Sequence, residues 1–183
     1  MKTKNNVIAL DIDDCILPND RSWFGETNDS LEILEINLKR LILIINKYDF
    51  EINIISSWTS NLNYIEETRS IEYKEHKVSG TYKPYYDYEK KVFNILSKYL
   101  NSNISGIANH GKYAKLNELV ETYKKVVIIE DTDFSEYEEK YDNCIWCYTK
   151  GFLGGTIGYQ IHSFMEENIK WNDKQQIKYL NKT

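Results

Sequence analysis

The sequence predicts an α/β fold, a three-layer sandwich around a mostly parallel central sheet of about five strands, and three observations predict it. Short runs that are apolar throughout, at residues 7–10, 52–55 and 126–129, have the character of strands buried on both sheet faces. Segments with apolar residues at three- and four-residue intervals lie between them. The two kinds of segment alternate along the chain, which calls for right-handed crossovers and parallel pairing.

The first strand, 7–10, stops at Asp11. A polar stretch with Pro18 and Gly25 follows, and a helix begins near Ser30, where Leu31, Leu34, Leu38, Leu41 and Ile45 form one inward stripe. Residues 52–55 read as a second strand ending in the hydroxyls of Ser56, Ser57, Thr59 and Ser60, and 61–67 read as a short helix. Residues 70–84 are polar and tyrosine-rich without a period. A helix at 85–100 carries Val92, Phe93, Leu96 and Leu100. A short strand at 104–108 and a helix at 112–123 precede the strand 126–129, which ends in Glu130 and Asp131. A last strand at 144–148, a glycine-rich loop at 151–158 and a helix at 159–168 complete a Rossmann-like order. Sheets of this kind bind ligands beyond the carboxyl ends of their strands. Asp11, Ser56 and the Glu130–Asp131 pair therefore meet on one rim.

A length of 183 residues suits a single domain over 1–183 with a core of its own. Hydrophobic residues at 42% and charged residues at 28%, with 8 Gly and 2 Pro, exclude a disordered or fibrous chain. A net charge of −5 excludes the basic stripe that drives non-specific nucleic-acid binding. Three cysteines, Cys15, Cys144 and Cys147, do not make a disulfide framework, so a reducing cytoplasm is the expected compartment. The opening residues hold too short an apolar run for a signal peptide, and no run is long enough to cross a bilayer. No membrane and no obligate protein partner is implied.

The chemistry lies in the strand ends. Asp11 and Asp13 follow a buried strand directly, and a lone pair of this kind is as often a turn that caps backbone amides. Asp131 changes that weighing, because carboxylates from two strand ends can surround one hard cation such as magnesium. Ser56 offers a hydroxyl to a phosphoryl oxygen. Lys112, at the start of a helix, is placed to supply a cation on the far side of a phosphate, with Lys115 its competitor; the usual fate of either is a solvated helix position.

In this order the residues resemble the haloacid dehalogenase superfamily of phosphatases and phosphotransferases. Its first motif is similar to Asp11-Ile12-Asp13-Asp14-Cys15-Ile16-Leu17, its second to the strand ending in Ser56, its third to Lys112, and its fourth to the strand ending in Glu130-Asp131. The resemblance spans residues 7–131 and departs from the family at Cys15, where Thr or Val is usual, and at Glu130, which leaves Glu130 and Asp133 as rival candidates beside the metal. It implies a magnesium-dependent phosphate monoester hydrolase with a phosphoaspartyl intermediate. Asp11 is then nucleophile and metal ligand, Asp13 acid–base and metal ligand, Ser56 and Lys112 the phosphate's partners, and Asp131 and Glu130 further metal ligands. Ser57 and Trp58 are the expected substrate contacts.

The gaps between motifs leave room for a small lid at about 70–84 and no cap domain. An open rim of Trp23, Phe24, Trp58, Tyr73, Tyr82, Tyr85 and Tyr86 would suit a nucleotide or a nucleic-acid end over a compact small molecule. Two alternatives come from other classes: a phospho-acceptor signalling domain, which needs an Asp at the end of a later strand, and a binding protein that keeps the fold without catalysis. The C-x-x-C at 144–147 points its thiols to opposite faces of a strand and is set aside as a metal site, and His76, His110 and His162 lie in unrelated segments.

Overall fold

The computed structural model describes residues 4–18, 28–74, 83–108, 111–150 and 153–170. Seven strands and five helices follow in the order β1 (Lys4–Leu10), α1 (Asn28–Tyr48), β2 (Phe50–Ile54), β3 (Leu62–Ile65), β4 (Ser70–Tyr73), α2 (Lys83–Leu100), β5 (Ile104–Ile107), α3 (Lys112–Thr122), β6 (Tyr123–Glu130), α4 (Ser135–Lys140), β7 (Cys144–Tyr148) and α5 (Gly155–Glu166). Five strands form one sheet in the order β5-β2-β1-β6-β7. Every neighbouring pair in it is parallel. The fold is a Rossmann-like three-layer α/β sandwich.

The apolar runs explain the two faces. Along β1 and β6, Ile8, Leu10, Val127 and Ile129 point to one side, where the stripes of α1, α2 and α5 cover them. Val7, Ala9, Val126 and Ile128 point to the other, under Leu116, Leu119 and Val120 of α3 and Phe134 and Tyr137 around α4. Burial on both faces is why these strands lack polar alternation. The stripe residues Leu34, Leu38 and Leu41 are fully buried, and truncating one to alanine costs roughly 2–5 kcal/mol.

Two expectations, the helix at 61–67 and the start of the last helix, are corrected. Residues 61–67 are not helical: a 3-10 turn at Ser57–Asn61 leads into β3, which pairs antiparallel with β4. Leu62 and Ile71 bury against α2, and Arg69 closes the turn at φ 51°. Within the stretch expected to form a lid, residues 70–73 are therefore strand, packed beside α2, and 75–82 lie outside the described residues. The helix expected at 159–168 runs from Gly155 to Glu166, so the end of the expected glycine-rich loop is helical. The short α4 is unforeseen, since SEYEEK carries no apolar period.

Candidate active site

Asp11 is the last residue that the sheet holds in register. Its N–H donates to the Ile129 carbonyl at 3.0 Å, and the next amide on β2's side, Ile55, donates to Leu10 at 2.9 Å. The carboxylate therefore emerges at the rim between β1 and β6, where the strand order reverses, and Asp11 is only 4% exposed. Beyond it the amides of Ile16 and Leu17 turn back onto the Ile12 carbonyl at 3.2 and 3.0 Å, with Asp14 at φ 54°, a conformation aspartate tolerates. Two side chains clamp this turn. Asn37 Nδ2 donates to the Ile16 carbonyl at 2.7 Å and Thr149 Oγ1 to the Cys15 carbonyl at 3.0 Å. Asn37 Oδ1 also accepts from Leu153 N–H at 3.0 Å, so one buried amide on α1 fixes the loops after both β1 and β7.

Across the rim, β6 delivers Glu130 and Asp131. One donor atom from each of Asp11, Cys15, Glu130 and Asp131 lies within 4.8 Å of all the others. Lys112 Nζ donates to Glu130 Oε2 at 2.6 Å and lies 3.5 Å from Asp11 Oδ2. Lys115, one turn on, points to Glu118 instead, at 2.8 Å. Burial alone would pull the Lys112 ammonium down, but the Glu130 hydrogen bond and the charges of Asp11 and Glu130 hold it above the ordinary lysine value. Burial and the Asp11 charge push the Glu130 carboxyl up, against the pull of Lys112. More negative charge is gathered here than one lysine balances.

Asp13 stands apart from that cluster. Its Oδ2 accepts from Trp58 Nε1 at 3.1 Å, and burial together with the Asp11 charge raises its pKa to about 6, with the Trp58 bond opposing the rise. Trp58 itself is 7% exposed and packs edge-on against Phe93, with ring centroids 5.8 Å apart. It is thus a buried partner of Asp13, which corrects its placement on an open rim. Tyr73 is likewise stacked on Phe93 at 5.4 Å and donates to Glu89 at 2.7 Å. Tyr85 and Tyr86 are half-buried, and Trp23, Phe24 and Tyr82 lie outside the described residues.

The remaining assignments sort by contact. Both Glu130 oxygens have partners, Lys112 and the Thr132 amide, so Glu130 sets the lysine's position. Asp133 accepts from Ser135 N–H at 2.8 Å at the start of α4, away from the cluster. Cys15 is fully buried with its thiol 3.7 Å from Asp11 Oδ2, burial drives its pKa far up, and hard ions prefer the neighbouring carboxylate oxygens to a thiol. Cys144 and Cys147 pack into opposite faces of the sheet. His162 meets the Tyr48 hydroxyl at 2.6 Å at a distance from the rim, while His76 and His110 are outside the described residues.

The carboxylates of Asp11 and Asp131, with Glu130 beside them, are the oxygen donors that hard divalent cations take. Next to them opens a cleft of about 460 Å³ between the Ser56 turn and the start of α3, lined by Ser56, Ser57, Ser60, Lys74, Gly111 and Lys112 among others. Ser56 is buried and caps the 3-10 turn, its Oγ accepting from Trp58 N–H at 3.4 Å, while Ser57 is exposed. Gly111, at φ 95°, takes the left-handed conformation that lets the chain enter α3 there.

Sequence reasoning missed Asn37, Thr149, Lys74 and the Trp58–Asp13 bond. Asn37 carried a signal, a polar residue beside Leu38 within an apolar helix stripe, whereas Lys74 carried none. Set against known proteins, the chain matches no family model, no curated protein and no solved structure.

Proposed function

We propose that this protein is a magnesium-dependent phosphomonoesterase of the haloacid dehalogenase type, working through a phosphoaspartate on Asp11. The observation that carries the reading is the meeting of Asp11, Lys112 and Asp131 at the carboxyl ends of two adjacent parallel strands, with Ser56 at the end of the next. Four separate segments supply these groups. A turn that merely caps its own amides has no need of them.

The residues account for both halves of the reaction. An Asp11 oxygen attacks phosphorus, the bond to the ester oxygen breaks, and Asp13 gives that oxygen its proton. A carboxyl with a pKa of about 6 still carries a useful fraction of protons near neutrality. Water then attacks the phosphoaspartate, returns a proton to Asp13 and releases phosphate and free Asp11. Lys112, held by Glu130, and the Ser56 hydroxyl face the transferring oxygens and stabilise the charge that builds there. Magnesium held by Asp11 and Asp131 would cancel the repulsion between an anionic nucleophile and an anionic substrate.

The strand order also weighs against the signalling alternative. Phospho-acceptor domains of the flavodoxin-like type run 2-1-3-4-5, whereas the strands of this sheet, counted along the chain, run 3-2-1-4-5. Hydrolysis of p-nitrophenyl phosphate with and without magnesium tests the reading. Metal-dependent turnover that a chelator abolishes is expected; none on any phosphate ester, with the protein folded, would leave the non-catalytic binding protein in its place.

A further inference from the structure

We propose that the cleft beside Asp11 receives a second phosphate carried on the substrate's leaving group, and that Lys74 holds it. The inference rests on the phosphomonoesterase reading and adds the substrate class. Among the described residues the cleft lining includes two lysines and no carboxylate, in a protein whose net charge is −5. The lysines differ in how their charge is answered. Lys112 has Glu130 at 2.6 Å and Asp11 at 3.5 Å. Lys74, just after β4, donates only to the Ser60 carbonyl, at 2.8 Å, and no carboxylate lies within ion-pair distance of it among the described residues.

That carbonyl bond pins the ammonium over the end of the 3-10 turn, so Lys74 lines the cleft instead of trailing into solvent. The exposed Ser57 and Ser60 belong to the same turn and the same cleft. A phosphate at Ser56 and Lys112 would place the rest of the ester along a hydroxyl-lined wall that also carries a positive charge paired with no carboxylate among the described residues. A volume of about 460 Å³ accommodates a nucleotide-sized group. A neutral leaving group would leave Lys74 as it is, whereas a second phosphate would give it a charge-assisted hydrogen bond. Two sources share this chemistry: a bisphosphorylated small molecule and the phosphorylated end of an oligonucleotide, where the next phosphodiester supplies the second anion. Trp58 and Tyr73 are packed inward on Phe93, so the selection proposed here rests on charge.

The test compares kcat/KM on adenosine 5′-monophosphate, adenosine 3′,5′-bisphosphate and a 5′-phosphorylated dinucleotide, for the wild type and for Lys74→Gln. The wild type should favour at least one of the doubly anionic substrates by about fivefold, the size of a partly exposed ion pair, and the preference should shrink as salt rises. In Lys74→Gln it should fall to near parity, the loss being concentrated on the doubly anionic substrates. A larger gain on the dinucleotide assigns nucleic-acid ends, and a larger gain on the bisphosphate assigns small molecules. Equal rates on all three, or a preference that survives Lys74→Gln, overturns the proposal. If nothing is turned over, the phosphomonoesterase reading fails, and the same ratio measured as Kd by calorimetry decides the role of Lys74 on its own.

Discussion

The two ends of the central sheet treat charge in opposite ways. At the amino ends of the strands, Glu51 on β2 meets Arg69 Nη2 at 2.8 Å and the Tyr123 hydroxyl at 2.6 Å, and Tyr123 in turn meets Ser105 at 3.2 Å. One carboxylate has one guanidinium and a hydroxyl, and the Arg69 Nε–H also occupies the Ile104 carbonyl on the outermost strand. At the carboxyl ends, Asp11, Glu130 and Asp131 gather around Lys112 as the one cation paired with them among the described residues, with Asp13 close by, and burial pushes the Asp13 and Glu130 carboxyls up. A balanced network needs nothing further. An excess of buried negative charge is tolerated where a cation and a substrate complete it.

The sharpest way to break this contrast is Asp11→Asn. Turnover should fall by on the order of 10³-fold or more, since an amide does not attack phosphorus, while the melting temperature without metal should hold or rise as a like charge is removed. Near wild-type turnover would sink the nucleophile assignment. Lys112→Ala should lower kcat/KM by about 10²-fold, and Lys115→Ala, whose ammonium is occupied by Glu118, should stay close to wild type. The reverse order would move the phosphate-binding cation by one helical turn.

Asp13→Asn separates stability from rate. The Asp13 carboxyl titrates near 6 in the folded protein against an ordinary value of 3.8, so its contribution to stability is intact below pH about 4 and is lost as pH rises through 6. In chelator, urea denaturation at pH 8 should therefore find Asp13→Asn more stable than wild type by about 2 kcal/mol, with the gap closing by pH 4. A gap independent of pH would mean that the carboxyl is not strained. The smallest effect belongs to the other end: Glu51→Gln should cost about 1 kcal/mol or less of folding stability, the Arg69–Glu51 pair being partly exposed, and leave kcat/KM untouched. A loss of activity there would show that the two ends are coupled.

Where a segment's neighbours are dictated by its own pattern, the chain could be read directly. The strands around 7–10 and 126–129 are apolar on both faces, and the stripe from Leu31 to Ile45 has helical spacing, so sheet, layers and rim were legible. Four residues at 62–65 carry too few periods to separate strand from helix, and only pairing with β4 decides them. Trp58 follows the hydroxyls of Ser56 and Ser57, as a rim residue would, yet the 3-10 turn rotates it inward onto Phe93 and Asp13. The lysines show the same limit. Lys112 and Lys115 sit near one face of the same helix, and reach to Glu130 separates them.

By itself the sequence determined which groups stand at the strand ends, because buried parallel strands leave a periodic mark and their first polar residue must lie at the rim. It thereby determined that Asp11, Ser56 and Glu130–Asp131 share one edge. The tertiary structure alone decided which charges are answered: Glu130 by Lys112, Glu51 by Arg69, and Lys74 by a carbonyl and, among the described residues, no acid. Charge pairing depends on distances of a few ångströms between segments far apart in the chain, and local periodicity contains no record of those distances.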